Sequence, residues 1–419
     1  MTTTQTAGRP GTAADGARAA GTVTQRLVFY CPGYDPDGDS RYRRLFVTGF
    51  SQLSRRFGVT RRIGPVERDD SVPAARWTVS AGKGDWHTET IYEVLRWDDL
   101  VRRDFARSWL RRLPLSFAAL GEALRGAVLQ KLFRVNWPFA AFVAYPWVVL
   151  LGLIAAAAGI GYGAASLAEL ASPLPDVARL GITAAVAALI VWAMSGKIED
   201  AYVYHFLDGW IFSWQHATGR LADFDARVDS FARHIADAVR RNPAQEVLLV
   251  GHSTGATVAV EVAARLLTLM PDFGRAGPPL VLLTIGSCLS IAAFIRKAER
   301  LRANIALLAT TPALSWVEYQ APQDALNAFG FDPVRDLQLD LGGAPRRGPI
   351  IRSARFRETI SPATYRKIHY NFFRMHFHFL AANEIPGEYD YLMIACGPIS
   401  LAERIADPEG AVRRTYGSR

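Results

Sequence analysis

The chain has 419 residues, half of them hydrophobic, and a net charge of +9. That length allows one large domain with an insertion, and the apolar content is high for a soluble protein. Three scattered cysteines, Cys31, Cys288 and Cys396, have no spacing that suits zinc or a disulfide framework, and they fit a reducing compartment. Beside the long apolar segments of the chain, the arginine-rich surplus fits anionic lipid headgroups better than nucleic acid, so a lipid membrane is the expected partner.

Residues 1–24 are Thr, Ala and Gly with few apolar anchors and are expected to be a disordered tail. No apolar run follows Met1, so no secretory signal is expected. Residues 26–36, RLVFYCPGYDP, read as an early strand and turn, although PGYDPDGD alone would also suit a plain polar loop. A basic helix over 41–57 follows, and 89–101 contains a strand with Trp97, Asp98 and Asp99 placed to shape a pocket rim. Residues 25–101 thus form the first part of an α/β domain. Residues 102–134 mix arginines with Phe, Trp and Leu. Such a basic amphipathic segment can lie in a membrane interface. It can also be an ordinary solvated helix pair broken at Pro114.

Residues 135–198 are expected to form a transmembrane helical hairpin. No charged residue occurs between Arg134 and Glu169, a stretch longer than the roughly 20 residues needed to cross a bilayer. A shorter uncharged run occupies 180–196, at the lower limit for a span, and the connection carries two prolines. A hairpin returns the chain to the side it left. Arginines crowd the upstream flank while the turn holds Arg179 offset by Glu169 and Asp176, which predicts a cytoplasmic catalytic part. The competing reading is a pair of buried helices in a large soluble core.

Residues 199–400 read as the second part of the domain, and 401–419 as a basic, loose C-terminal tail. The aromatic stretch 202–217 could be an interfacial collar or a lid, with His205 and His216 there as core or interface residues. An amphipathic helix over 223–242 feeds an apolar run at 247–250. Gly251-His252-Ser253-Thr254-Gly255 then precedes helical apolar spacing at Val258, Val262 and Leu266. A strand, a sharp turn with a serine at its tip, and a helix would lift a hydroxyl out of the backbone. The glycines relieve collisions with the neighbouring strand and helix. Ser253 is the candidate nucleophile.

With GHSTG, the early strand at 26–36, PLVLLTIGSCLS at 279–290 and LSWVEYQAPQDALN at 314–327, the chain resembles the α/β-hydrolase superfamily in its lipase and esterase branch. It departs from the usual pattern at Ala256, where a second glycine is common, and at Cys31-Pro32-Gly33, where many relatives have His-Gly. The resemblance implies a mostly parallel sheet with helices on both faces and a triad in the order Ser, acid, His. The acid follows the strand after TIGS, which points to Asp324, with Asp332 and then Glu318 behind it. An N-cap before ALNAF is the plain alternative for Asp324. The base lies beyond the last strand, at His376, His378 or His369 in that order. His87 and His234 precede Ser253 and break the order, and His252 is structural. The pair His376-x-His378 lacks a convincing further ligand, so no metal and no cofactor are expected. The implied oxyanion hole uses the backbone amides of Thr254 and Tyr34.

The expected activity is cleavage of carboxylic esters, lipids among them, through an acyl-enzyme. Acyl transfer or thioester cleavage with the same triad is a competing chemistry. A non-catalytic membrane scaffold retaining the fold is a third reading.

Overall fold

The computed structural model describes residues 22–69, 71–275 and 277–417. Most of the expected disordered tail at 1–24 therefore lies outside the described residues. Of its last three residues, Val23 is buried and donates its amide to Pro398 O at 2.7 Å.

Among the described residues, nine strands form one sheet: β1 (Gln25–Cys31), β2 (Thr60–Ile63), β3 (Glu67–Asp69), β4 (Ala74–Lys83), β5 (Trp86–Leu95), β6 (Glu246–His252), β7 (Leu280–Ile285), β8 (Leu314–Gln320) and β9 (Ile350–Ser353). Their order is β2-β4-β5-β1-β6-β7-β8-β9, with β3 also paired to β4. From β5 to β9 every pairing is parallel, while β2, β3 and β5 run antiparallel to β4. The fold is α/β with a mostly parallel mixed sheet. In β6 and β7 every residue is buried, as strands covered on both faces require. Strand alternation splits the core in two. Leu27, Phe29 and Leu249 belong to one cluster, and Val28, Tyr30 and Leu248 to the other.

The helices that frame the site and build the hairpin are α1 (Gly38–Phe57), α2 (Asp98–Phe105), α3 (Trp109–Arg125), α4 (Val128–Val135), α5 (Trp137–Ala171), α6 (Asp176–Ala193), α7 (Ser195–Asp200), α8 (Val203–Ala217), α9 (Ala222–Arg241) and α10 (Gly255–Leu269). Helix α1 buries Tyr42, Phe46, Phe50 and Leu53, one stripe at helical spacing, and ends at Gly58 in the left-handed region. The 102–134 segment is not broken at Pro114. Helix α3 runs through that proline, which forfeits one backbone hydrogen bond, and the break comes at Gly126–Ala127, where Ala127 adopts φ 51°. Ala119, Ala123, Val128 and Leu132 face the core, whereas Trp109, Leu110, Phe117, Leu124 and Phe133 are exposed.

Helix α5 starts with Asn136, whose side chain accepts from Phe139 N at 2.9 Å. At 35 residues it is about 52 Å long. Phe139, Val143, Trp147 and Leu150 in its first half are buried against the body. Its second half buries only the small residues Ala157, Gly161 and Ala165. There α6 folds back along it, so close that a Cβ on Gly161 would lie 2.4 Å from Thr183 O. Small residues allow such backbone approach. Helix α6 has no buried residue, so it is not the core helix that one reading of the sequence allowed. Both helices are long and apolar enough, by length and composition, to cross a membrane.

The expected loose tail at 401–419 is instead folded as far as residue 417. Helices Leu401–Ala406 and Pro408–Tyr416 pack onto the sheet, with Arg404, Ala411 and Thr415 fully buried. The anchor lies far away in sequence. Buried Arg26 pairs with Glu246 at 2.7 Å and donates to Gly397 O and Ile399 O, and the other Glu246 oxygen accepts from Leu401 N. The basic residues Arg413 and Arg414 that suggested a tail are merely the solvent side.

Candidate active site

Strand β6 delivers Ser253 at its carboxyl end, at φ 58°, the left-handed region that a non-glycine residue occupies only when its surroundings enforce it. The enforcement is visible. Ser253 N donates to Ile285 O at 3.1 Å, and Cys288 N donates to Ser253 O at 3.2 Å. The two motif glycines meet backbone on both sides. A Cβ on Gly251 would lie 2.6 Å from Ala256 Cα, and one on Gly255 would lie 2.1 Å from Cys31 O. Ala256, where the resemblance expects glycine, is fully buried.

After β8 the chain turns through Ala321 to Asn327, and the Asn327 amide holds this loop by donating to Ala321 O and Asp324 O. The loop is not a helix, so Asp324 is not an N-cap. One of its oxygens accepts from Leu326 N at 3.0 Å, and the other is 2.7 Å from His376 Nδ1. Both side chains are buried. A carboxylate accepts only, so Nδ1 donates and the neutral imidazole presents Nε2 as an acceptor. Among the described residues, His376 Nε2 is buried with no hydrogen-bond partner. The imidazole fits because residue 286 is glycine, at φ 52°. A Cβ there would lie 3.2 Å from His376 Cε1 and 2.7 Å from a Phe379 ring carbon.

Ser253 and His376 line one cavity of about 1010 Å³. Ser253 Oγ is turned toward Cys288 Sγ, 3.5 Å away, not toward the imidazole. Burial pushes the Cys288 thiol up to about 12, so it stays protonated, and Sγ donates to Leu326 O. The His252 ring stacks on His376 with centroids 4.6 Å apart. Burial first, and repulsion from His376 second, hold His252 well below the usual histidine range, so it is a neutral floor under the imidazole. That contact had no signal in the sequence beyond the position of His252 next to the serine.

The other candidates are engaged elsewhere. His378 packs edge-on against Phe356, and burial lowers it to about 4. His369 Nδ1 faces Tyr365 O and Arg366 O. Asp332 pairs with Arg346 at 2.9 Å. Glu318 accepts from Thr284 and Gln320 inside the sheet, and burial raises it to about 7. His376 and His378 are not joined by further ligands, since no group of three or more metal-binding side chains occurs among the described residues.

The turn after β1 lies against the serine. A Cβ on Gly33 would be 3.2 Å from Ser253 Cβ. Trp97, Asp98 and Asp99 do not line the cavity; Trp97 is buried in the core, and its Nε1 donates to Pro32 O at 3.0 Å and pins that turn from within. Thr254 caps α10, so its amide belongs to the helix N-terminus, where backbone N–H groups lack intrahelical acceptors. Tyr34 and Thr254 both line the cavity. The Tyr34 hydroxyl donates to Asp104 at 2.9 Å, Asp104 pairs with Arg107 at 2.7 Å, and Arg107 and Arg112 both pair with buried Asp208 on α8. This chain ties the turn to α2, α3 and α8. Helix α8, the aromatic stretch that suggested a collar or lid, forms a cavity wall with His205, Phe206 and Phe212. His205 is lowered to about 4, by burial and then by Arg41.

In comparison with known proteins, no family model, no curated protein and no solved structure matches this chain.

Proposed function

We propose that the protein is a membrane-anchored serine hydrolase of the α/β-hydrolase type that cleaves carboxylic esters through an acyl-enzyme. The observation that carries this reading is the buried Asp324–His376 pair, whose Nε2 has no hydrogen-bond partner among the described residues, on a cavity also lined by a serine held at φ 58°. Rotation about the Ser253 Cα–Cβ bond exchanges the Cys288 thiol for the imidazole. His376 Nε2 then takes the hydroxyl proton as Oγ attacks the ester carbonyl. The amides of Thr254 and Tyr34 hold the oxyanion. The imidazolium, stabilised by Asp324, gives its proton to the leaving alcohol. Water enters, His376 takes its proton, and the acyl group leaves as a carboxylic acid while the serine is reprotonated.

Helices α5 and α6 serve as the anchor in this reading. The support is that α6 buries none of its apolar residues, together with the exposed Trp109, Leu110 and Phe133 before α5 and Trp137 at its start, which suit a bilayer interface. The arginine-rich flank before α5 supports a cytoplasmic catalytic body in this reading.

A fluorophosphonate probe tests the chemistry. The native chain is expected to label, and Ser253→Ala to lose labelling and ester turnover by about 10³-fold or more. Equal labelling of both rejects Ser253 as nucleophile. For topology, Ser172→Cys should react with an external impermeant thiol reagent and Glu409→Cys should not.

A further inference from the structure

The cavity lining has two unlike sets of side chains. One is apolar and comes from Phe139, Phe142 and Val143 of α5 with Phe206 of α8. Helix α5 carries the first three of these residues and continues into the exposed apolar hairpin, the direction from which an acyl chain would reach the cavity. Arginines line the same cavity. Arg41 is matched by Asp35 and Asp37, and Arg112 by Asp208. Arg44 on α1 and Arg374, two residues before His376, are exposed, and neither has a carboxylate partner among the described residues.

Two unmatched guanidinium groups on the cavity that holds the nucleophile set a charge requirement for what enters. A guanidinium binds phosphate oxygens as a fork, and the gain is largest when no carboxylate competes. A zwitterionic headgroup would bring its own cation against the same arginines, and a neutral one would offer them nothing. The geometry points to a substrate class: an acyl ester of a glycerophospholipid with a net negative headgroup, its chain along α5 and its phosphate at Arg44 and Arg374. The cleavage rests on the serine-hydrolase reading; the binding preference does not.

Binding is therefore tested without turnover. Full-length Ser253→Ala protein in phosphatidylcholine nanodiscs is exposed to phosphatidylglycerol carrying a diazirine in its acyl chain, and adducts are mapped by mass spectrometry. Adducts are expected on α5 and α8 around Phe142 and Phe206. The matching phosphatidylcholine probe should label these sites about tenfold less, and Arg44→Gln/Arg374→Gln should reduce phosphatidylglycerol labelling by about the same factor, the scale of losing charge-assisted hydrogen bonds. Inorganic phosphate and glycerol 3-phosphate at millimolar concentration should compete poorly, because they lack the chain. Equal labelling by the two lipids, an unchanged double variant, or full competition by inorganic phosphate overturns the inference. Failure of the chemistry shows separately, as a native chain that no fluorophosphonate labels.

Discussion

The sheet body and the α5–α6 hairpin use the same kinds of apolar residue and treat them oppositely. In β6 and β7 every valine, leucine and isoleucine is buried, whereas in α6 none of the apolar residues is, and Leu180, Leu189 and Trp192 are each more than half exposed. The body also buries charge in matched pairs: Asp208 against two arginines, Arg26 against Glu246, Asp324 against His376. The body is thus an object organised for water outside and low dielectric inside. Soluble monomers rarely leave large contiguous apolar surface uncovered, so the exposed hairpin suits the proposed bilayer around it.

The sharpest way to break the body side of this contrast is Asp208→Ala. It strands Arg112 and weakens Arg107, both largely buried, which costs about 3–5 kcal/mol for an unmatched interior charge. The expected result is a lower thermal midpoint. A loss of probe labelling beyond the unfolded fraction is expected as well, because the same network holds Tyr34. An unchanged midpoint would mean that solvent already reaches the pair.

On the hairpin side the test is Leu189→Arg. On a water-facing helix such a surface change shifts stability by no more than about 0.5 kcal/mol. At the centre of a bilayer span it costs about 2.5–3.5 kcal/mol of insertion free energy. Alkaline-carbonate extraction of membranes from cells expressing native and variant chains distinguishes the two. Unchanged retention would move α6 out of the bilayer.

An effect of comparable size separates paired from merely tolerated charge in the sheet. Burial raises the Glu318 carboxyl from 4.5 to about 7 in the folded chain. A group raised on folding favours the folded state below its unfolded value, and that contribution disappears as pH rises through the folded value. Stability should fall between pH 4.5 and 7 by an amount on the order of 3 kcal/mol. His378, lowered to about 4, has the opposite sign, losing stability as pH falls from 6.5. The comparison of native protein with Glu318→Gln isolates the first contribution. Urea midpoints at pH 5 and pH 8 should differ less in the variant.

Legibility in the sequence obeys the same division between local and distant causes. GHSTG could be read because strand, turn and helix are contiguous, and the hairpin because an uncharged run needs no partner to be recognised. The meeting of Asp324 with His376 came from an implied chain order. Strands β2 and β3, by contrast, are the exposed runs TRRI and ERD, in which no apolar period exists to be seen. The folding of the C-terminal helices depends on Arg26 and Glu246, more than 150 residues upstream. The Arg44–Arg374 pair likewise joins two distant segments, and nothing in either sequence stretch marks its arginine as unmatched.

The smallest expected effect concerns a key polar atom that the body leaves poorly matched. Ser253 Oγ rests 3.5 Å from the Cys288 thiol, and since Sγ already donates to Leu326 O, the serine can only donate to sulfur, a weak acceptor. Leaving that contact for His376 Nε2 therefore costs less than an ordinary hydrogen bond, under about 1 kcal/mol. Cys288→Ala removes the contact while leaving the elbow hydrogen bond from residue 288 N to Ser253 O in place. Fluorophosphonate labelling is expected to accelerate by up to about fivefold, the rate equivalent of that cost. A labelling rate reduced tenfold or more, in a variant with a native thermal midpoint, would instead make the thiol part of the reacting apparatus and the observed serine rotamer the working one.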